Sequence, residues 1–318
     1  MRVGITLPSF QSEPDKVLAV ARAAEDAGLD GVFLFDHLFR ERGDAAGAER
    51  RPALELLTMT AAVAAATDQV KVGTLVARAT LRPPGTARAA FDSLARIAPG
   101  RVIAGLGAGD DESIAEDAAF GVLPVPPEPD PAGAWVAPGR LLPGGGWEEA
   151  GQPVPPLDLD WRRTLGRYRV ARFEAAVAAL TGRGYPVWVA GTSPAALRLA
   201  TSADGWNTWG GTPSRFAVAS GKMRDALVLA GRDPEGFILT WGGLAVMAAT
   251  PEEAHSKSHR LGGGRSGVVR GTPPDVCEQI AAYADAGADW VILGPIDSAD
   301  PSNAALLGEA VRLLRSRT

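Results

Sequence analysis

Short apolar runs alternate with longer amphipathic stretches along almost the whole 318-residue chain. Runs rich in β-branched and aromatic side chains predict buried strands, whereas apolar positions spaced three and four apart predict helices. The predicted strands are 2–7, 32–35, 70–76, 101–106, 186–190, 205–209, 237–248 and 290–293. The predicted helices are 14–27, 52–67, 83–97, 161–181, 194–203, 213–230, 251–261, 273–286 and 303–315. Since eight parallel strands close into a barrel, this pattern predicts an α/β fold of the (β/α)8 TIM-barrel type, with an open doubly wound sheet as the alternative.

Two segments lack this regularity. A polar stretch at 40–51 predicts a loop, and segment 123–160, after the fourth strand, is crowded with proline and glycine. A stretch as long as the second inside a compact domain is usually a lid, a binding loop or disorder. No shift of composition marks a second domain. We therefore expect a single domain over 1–318, with an irregular insertion or lid at about 123–160.

Composition narrows the classes of function. The chain is 46% hydrophobic and 22% charged, as is ordinary for a globular protein, and its net charge is −5 with scattered basic residues. These values argue against nucleic-acid and membrane-surface partners. The alanine-rich runs are too short to span a bilayer, and the first strand lacks the apolar core of a signal peptide. The single cysteine, Cys277, forms no internal disulfide, so we expect a cytoplasmic protein acting on a small molecule.

Asp36 and His37 directly follow the second predicted strand. In parallel α/β folds, ligands bind at the C-terminal ends of strands. His37 is one of three histidines in the chain, and a histidine at this position is a candidate proton donor or acceptor, with Asp36 orienting it. The alternative is a pair that only fixes the next loop. Arg78 and Arg82 follow the third strand.

A glycine run follows the fourth strand at positions 105, 107 and 109, and Asp110 comes next. The spacing and the late position do not fit a dinucleotide-binding fingerprint. We interpret glycines such as Gly107 instead as positions where a flat ligand lies against bare backbone. Asp110 would then stand at the rim of that ligand as a possible acid.

The turn after the fifth strand, Gly191-Thr192-Ser193, opens a helix at Pro194. Free backbone N–H groups and hydroxyls at such a turn can bind an anion, and an ordinary serine-capped helix is the alternative.

His255 and His259 have the spacing of a helical metal pair. They lack an obvious third ligand, so we predict no metal site.

Four segments, each at a strand end, resemble the bacterial luciferase-like flavin and deazaflavin oxidoreductases. They are 28–37, 72–76 with 82–84, 99–109, and 187–191 with 203–207. The resemblance covers nearly the whole chain and implies the same barrel fold.

The resemblance also implies how a cofactor would lie. In the family, a non-prolyl cis peptide at the end of the third strand bulges against the redox ring, and the matching bond joins Leu75 and Val76. The phosphate side of the cofactor matches residues 190–193, namely Ala190, Gly191, Thr192 and Ser193. His37 matches a histidine near the reactive ring carbon. Asp110 falls where deazaflavin-dependent sugar-phosphate dehydrogenases have a glutamate acid.

The chain departs from those dehydrogenases at two positions. Glu41 stands where they have a tryptophan, and 210–213 lacks their lysine. Since the chain has four lysines in all, sugar phosphate is not the expected substrate.

We expect hydride transfer between coenzyme F420 and a small organic substrate, because the glycine run and segment 203–207 look most like the deazaflavin branch. An FMN-dependent monooxygenase using O2, served by a flavin reductase, is the alternative. A non-catalytic flavin-binding protein is the second alternative. The family also implies a homodimer.

Overall fold

The computed structural model describes residues 1–11, 13–42, 49–110, 113, 116–117, 140–141, 147–148, 159–261 and 266–317. Its strands are β1 Arg2–Thr6, β2 Gly31–Leu34, β3 Phe39–Arg42, β4 Glu49–Pro52, β5 Lys71–Thr74, β6 Ala77–Arg78, β7 Val102–Gly107, β8 Arg140–Leu141, β9 Trp147–Glu148, β10 Val187–Ala190, β11 Gly205–Trp209, β12 Ile238–Met247, β13 Val269–Gly271 and β14 Trp290–Pro295. Its helices are α1 Pro14–Asp26, α2 Leu56–Ala66, α3 Pro84–Ile97, α4 Leu159–Leu180, α5 Pro194–Ala200, α6 Pro213–Leu229, α7 Pro251–Arg260, α8 Pro273–Asp285 and α9 Ser302–Arg315.

Eight of these strands form a closed parallel barrel. Around the barrel the order is β1, β2, β5, β7, β10, β11, β12 and β14, and β14 pairs with β1 to close it. Helices follow the strands along the chain and cover the outside, where the larger hydrophobic core lies. The predicted (β/α)8 fold is confirmed, and the open sheet is excluded.

The structure corrects two local predictions. The segment predicted as a polar loop at 40–51 contains an antiparallel hairpin, with β3 paired to β4. Pro52 ends β4 and does not begin a helix; α2 instead starts at Leu56, with Glu55 accepting a hydrogen bond from the Thr58 amide at 2.7 Å. Because the strands of this hairpin are short and rich in charged residues, the sequence lacks the apolar pattern by which strands are predicted. Of the predicted insertion at 123–160, the described residues include one antiparallel pair, β8 with β9, and residues 159–160, which begin α4. The other residues of that range lie outside the described residues.

The barrel interior is filled by aromatic side chains packed over glycines. Phe33, Trp188 and Trp290 contact one another, with ring centroids 5.5–5.8 Å apart. A Cβ added to Gly73 would approach the Phe33 ring to 2.6 Å, and one added to Gly205 would approach Trp188 to 2.7 Å. Glycine on one strand therefore makes room for a large ring from another, and the interior below the C-terminal mouth is a packed floor.

Gly105 lies where two strands come closest, so we predict that Gly105→Ala destabilises the fold. A Cβ there would stand 2.0 Å from the Thr74 carbonyl oxygen, which cannot move without breaking the sheet. Overpacking of this kind should lower the free energy of unfolding by about 1–3 kcal/mol or more in urea denaturation. The matched control is Gly221→Ala in α6, where the new Cβ meets nothing within 4 Å and should raise stability by about 0.5–1 kcal/mol. Equal stability of the two variants would contradict this account of the barrel.

Candidate active site

The residues singled out in the sequence lie at the C-terminal ends of four barrel strands. Asp36 and His37 follow β2, Leu75 and Val76 follow β5, and Asp110 follows β7. Residues 190–193 end β10 and begin the turn to α5. Because β2, β5, β7 and β10 are successive neighbours in the barrel, these groups border one side of a single mouth. The peptide bond between Leu75 and Val76 is cis, as the family resemblance implied.

His37 is held by a buried carboxylate. Its Nδ1 donates a hydrogen bond to Glu116 Oε1 at 2.6 Å, and the Leu38 amide donates to the other oxygen at 2.8 Å. Burial of the imidazole favours its neutral form, but the hydrogen bond and charge of Glu116, together with the charge of Asp110, outweigh burial and the opposing charge of Arg78. The pKa of His37 is therefore raised above its ordinary 6.5. Since Nδ1 is engaged, Nε2 is the ring nitrogen left for a ligand.

Arg78 pairs with Glu116, the carboxylate that accepts the hydrogen bond from His37. Its guanidinium is 3% exposed and forms ion pairs with Glu116 at 2.9 Å and Asp117 at 3.3 Å, and its Nη1 donates to the Ser113 carbonyl. Thr80 also donates to Asp117, at 3.1 Å. Burial raises the pKa of the Asp117 carboxyl and outweighs the nearby cation. Buried charges of this kind persist only when they are paired, so the cluster fixes where Glu116 lies.

Asp36 does not orient His37, which corrects the sequence-based expectation. Its carboxylate accepts hydrogen bonds from the Arg78 amide at 2.8 Å and from the Arg82 guanidinium at 2.5 and 3.1 Å. Arg82 also pairs with Glu55, and these partners raise the pKa of the guanidinium against the effect of burial. Consecutive side chains at the end of a strand point to opposite sides, which is why adjacency in sequence was misleading. Asp36 anchors the segment after β5 to the end of β2.

Asp110 caps the turn that follows β7. Its Oδ1 accepts hydrogen bonds from the Ser113 amide at 2.8 Å and the Ser113 hydroxyl at 2.6 Å, and Arg169 donates to its carbonyl at 2.7 Å. Partial burial opposes ionisation, but the Ser113 hydrogen bonds and the charge of His37 outweigh it and lower the pKa of Asp110. Asp110 is therefore a carboxylate near neutral pH, which can accept a proton but does not hold one to donate.

Small residues end two neighbouring strands at the mouth. Ile103 of β7 and Trp188 of β10 belong to the interior cluster, so the two-residue alternation of a strand turns Gly107 and Ala190 inward as well. A Cβ on Gly107 would come 2.4 Å from Val76 Cγ2, so glycine is needed where the Leu75–Val76 segment crosses β7. Gly107 itself is buried, whereas Val76 and Ala190 are partly exposed, so a planar group at the mouth would lie against Val76 and Ala190.

Two hydrogen bonds fix the turn at 191–193, one from Trp206 and one within the first turn of α5. Trp206 donates a hydrogen bond from its indole nitrogen to the Gly191 carbonyl at 2.7 Å, and Gly191 has a φ of 115°. Ser193 Oγ accepts from the Ala196 amide at 3.2 Å, which is the ordinary serine cap that sequence reasoning kept as the alternative.

A cavity of about 490 Å³ adjoins this turn. Thr192 lines it together with Ser214, Arg215 and Lys222 from α6. Two hydroxyl groups next to two cationic side chains are suited to binding an anionic group such as a phosphate.

Comparison with known proteins identifies the family of the chain. A family model described as luciferase-like monooxygenase matches residues 1–133 and 161–266. The chain belongs to this luciferase-like family. The segment left unmatched between these ranges falls within the predicted insertion.

Two curated relatives and one solved structure are informative. The luciferase-like chain is 32% identical over 229 residues to the F420-dependent glucose-6-phosphate dehydrogenase of Beutenbergia cavernae, a match covering 71% of this chain and 58% of that protein. It is 40% identical over 109 residues to the F420-dependent hydroxymycolic acid dehydrogenase of Mycobacterium tuberculosis, covering 34% and 29% of the two chains. Both matches therefore span less than two thirds of the relative's length. An F420-dependent secondary alcohol dehydrogenase, solved with an F420–acetone adduct, is similar with a TM-score of 0.68 over 99% of both chains at 16% identity, which shows the fold alone.

Sequence reasoning missed the residues that organise this luciferase-like mouth. Glu116 and Asp117 were not singled out, and Arg78 and Arg82 were noted by position without a role. The usable signal was the spacing of Ser113, Glu116 and Asp117, three and four residues apart, which predicts one polar helix face beside the strand end. Their burial contradicts the usual assumption that such a face is solvated.

The described residues contain no group of three or more potential metal ligands from histidine, cysteine, aspartate and glutamate. Within those same parts of the chain, no helix has both the length and the apolar character needed to cross a membrane.

We predict that NMR titration of the His37 imidazole gives a pKa above the ordinary 6.5. Glu116→Gln removes the hydrogen-bonded carboxylate, so the His37 pKa should fall relative to that of the unmodified protein. Asp36→Asn makes the same chemical change at a neighbouring buried carboxylate that binds arginine instead, so it should leave the His37 pKa in place. An equal fall in both variants would contradict the assignment of Glu116 as the partner.

Proposed function

We propose that this luciferase-like protein is an F420-dependent oxidoreductase that exchanges a hydride with a small organic substrate. Its relatives in Beutenbergia cavernae and Mycobacterium tuberculosis are F420-dependent dehydrogenases, which supports the choice of cofactor. The observation that carries the proposal is the imidazole of His37, held by buried Glu116 at the same mouth as the Leu75–Val76 segment, whose Val76 side chain packs over Gly107. A proton-transferring group and a surface for a planar ring are the two features that such an enzyme requires from its protein.

The residues at the mouth fit a deazaflavin with a phosphate-bearing tail. The planar ring would be held by Leu75, Val76 and Gly107. The phosphate would be held at the other edge by residues 190–193, where Thr192 opens onto the cavity that contains Arg215 and Lys222. We assign Leu75, Val76, Gly107, Ala190, Gly191, Thr192 and Ser193 to cofactor binding on this basis.

The bound deazaflavin supplies the carbon that accepts or gives up the hydride. His37 supplies the proton chemistry at Nε2, because its Nδ1 is engaged by Glu116. The protonated imidazole can donate to, or stabilise, a substrate oxygen that gains negative charge, and the neutral form can accept the hydroxyl proton of an alcohol. Asp110, held ionised by Ser113, is the second acceptor of protons. Asp36 contributes by fixing the segment after β5 through Arg82 and Arg78.

FMN remains the second candidate cofactor, because the matching family model is described as a monooxygenase family. A flavin reductase partner would apply only to that case. A non-catalytic flavin-binding role is disfavoured by the engaged His37–Glu116 pair. The homodimeric state and the cytoplasmic location remain predictions.

Fluorescence titration of the purified protein with F420 and with FMN tests the cofactor. We expect saturable binding of F420 at lower concentration than FMN. Arg215→Ala should weaken F420 binding, whereas Arg317→Ala, which removes an exposed arginine paired with Glu278 near the C-terminus, should not. Tighter binding of FMN would favour the monooxygenase, and binding of neither would contradict the proposal.

His37→Ala should lower the turnover number by about 10²–10⁴-fold, because it removes the proton-transferring group. The dissociation constant for F420 should change little, since Leu75, Val76 and residues 190–193 are left intact. His37→Gln is the closer control for packing and should be as impaired as His37→Ala. Undiminished turnover in either variant would remove His37 from the mechanism.

A further inference from the structure

Trp209 is a large aromatic residue at the mouth that the proposed mechanism does not use. It ends β11, and 48% of its surface is exposed. Along β11, Gly205 contacts the interior residue Trp188 and Asn207 is buried, so the two-residue alternation of a strand makes Trp209 point inward as well. It is therefore an inward-facing, solvent-accessible ring at the open end of the barrel.

The Trp209 ring lies across the next two barrel strands. A Cβ on Gly242 of β12 would come 2.5 Å from its Cε3, and one on Gly294 of β14 would come 3.1 Å from its Cη2. These two glycines leave room for the indole to lie flat against the backbone. The ring thus covers the side of the mouth opposite Val76 and Gly107.

The turn after Trp209 is held by buried donors. The indole nitrogen of Trp241 donates to the Gly210 carbonyl at 2.9 Å, and the Tyr283 hydroxyl donates to the Gly211 carbonyl at 2.8 Å. The Gly210 amide in turn donates to the Gly242 carbonyl at 2.7 Å. Trp241 and Tyr283 are themselves stacked, with ring centroids 3.7 Å apart. An exposed aromatic ring on a fixed turn is a preorganised contact surface.

Two further aromatic rings lie beside His37. β14, which Trp209 reaches, pairs with β1, and Phe10 follows β1. The Phe10 ring lies 5.6 Å from the His37 ring and 5.0 Å from that of Phe35. The neighbours of His37 on the β1 side of the mouth are therefore apolar rings.

Among the side chains that the structure describes, the four lysines and the arginines near the mouth have partners or belong to another site. Lys16 pairs with Glu13, Lys71 donates to the Gly100 carbonyl at the far end of β5, and Lys257 is buried against Asp297. The fourth lysine, Lys222, and Arg215 line the cavity beside Thr192, which the proposed function assigns to the cofactor phosphate. At the mouth, Arg78 and Arg82 are bound to carboxylates, and Arg169 donates to main-chain carbonyls.

We propose that Trp209 is the stacking wall of the substrate site and that the substrate is an uncharged secondary alcohol, or its ketone, carried on a flat apolar ring. The inference rests on the proposed function and adds the substrate class to it. The ring of the substrate stacks on the indole, and its oxygen meets His37. The proposal separates this chain from sugar-phosphate dehydrogenation, which requires a site for a phosphate dianion.

Binding of acetophenone, measured by calorimetry, tests this inference without turnover, since the ketone and oxidised F420 are both in their oxidised forms. The titration is run on the full chain with and without F420, using the unmodified protein, Trp209→Ala and Trp209→Phe. Loss of an aromatic contact of this kind should raise the acetophenone dissociation constant roughly tenfold in Trp209→Ala. Trp209→Phe should restore most of the affinity, and the F420 dissociation constant should be the same in all three proteins.

Each other result overturns the inference. Unchanged acetophenone binding in Trp209→Ala, or no binding to the unmodified protein, would show that Trp209 does not stack on the substrate. A weaker F420 complex in Trp209→Ala would place the indole against the cofactor instead. Tighter binding of glucose 6-phosphate than of acetophenone would exclude the substrate class. Absence of F420 binding would contradict the proposed function alone, because the titration without cofactor still tests Trp209.

Discussion

The hydrogen bond from His37 to Glu116 is the interaction on which the rest of the mouth depends. Glu116 is 3% exposed and would be costly to bury alone, and the buried Arg78 guanidinium pairs with it and with Asp117. Removing one partner of such a cluster typically costs about 3–5 kcal/mol, which is a large part of a domain's total stability. The Glu116 carboxylate that holds the imidazole in place also raises its pKa. Glu116 therefore determines both where the His37 imidazole lies and how readily it is protonated.

The barrel makes this cluster possible by bringing distant segments together. β2 delivers Asp36 and His37, β6 delivers Arg78, and the segment after β7 delivers Glu116. Asp36 binds the Arg78 amide, so the loops after β2 and β5 are fixed to each other before any ligand arrives. Below them, the aromatic floor closes the barrel to water. The mouth above this floor has the Leu75–Val76 segment on one side and the half-exposed Trp209 indole on the other.

The sequence predicts the barrel better than it predicts the hydrogen-bond partners of the residues at the mouth. Apolar runs gave all eight barrel strands because buried parallel strands read as continuous β-branched and aromatic segments. The position of His37 at a strand end was also readable. Its partner was not, since Glu116 lies 79 residues away and looks like part of a solvated helix face. Asp36 was misassigned because adjacency along an extended chain separates side chains. The β3–β4 hairpin was missed because its strands are short and charged.

A crystal structure of the protein with F420 would show whether His37 and the cofactor ring face each other. We expect the deazaflavin ring against Leu75, Val76 and Gly107, with His37 Nε2 facing its reactive edge and Nδ1 still bonded to Glu116. The ring should leave the Trp209 indole exposed for a substrate. A ring bound on the Trp209 side, or an imidazole that turns away from both Glu116 and the ring, would be incompatible with the proposed role of His37.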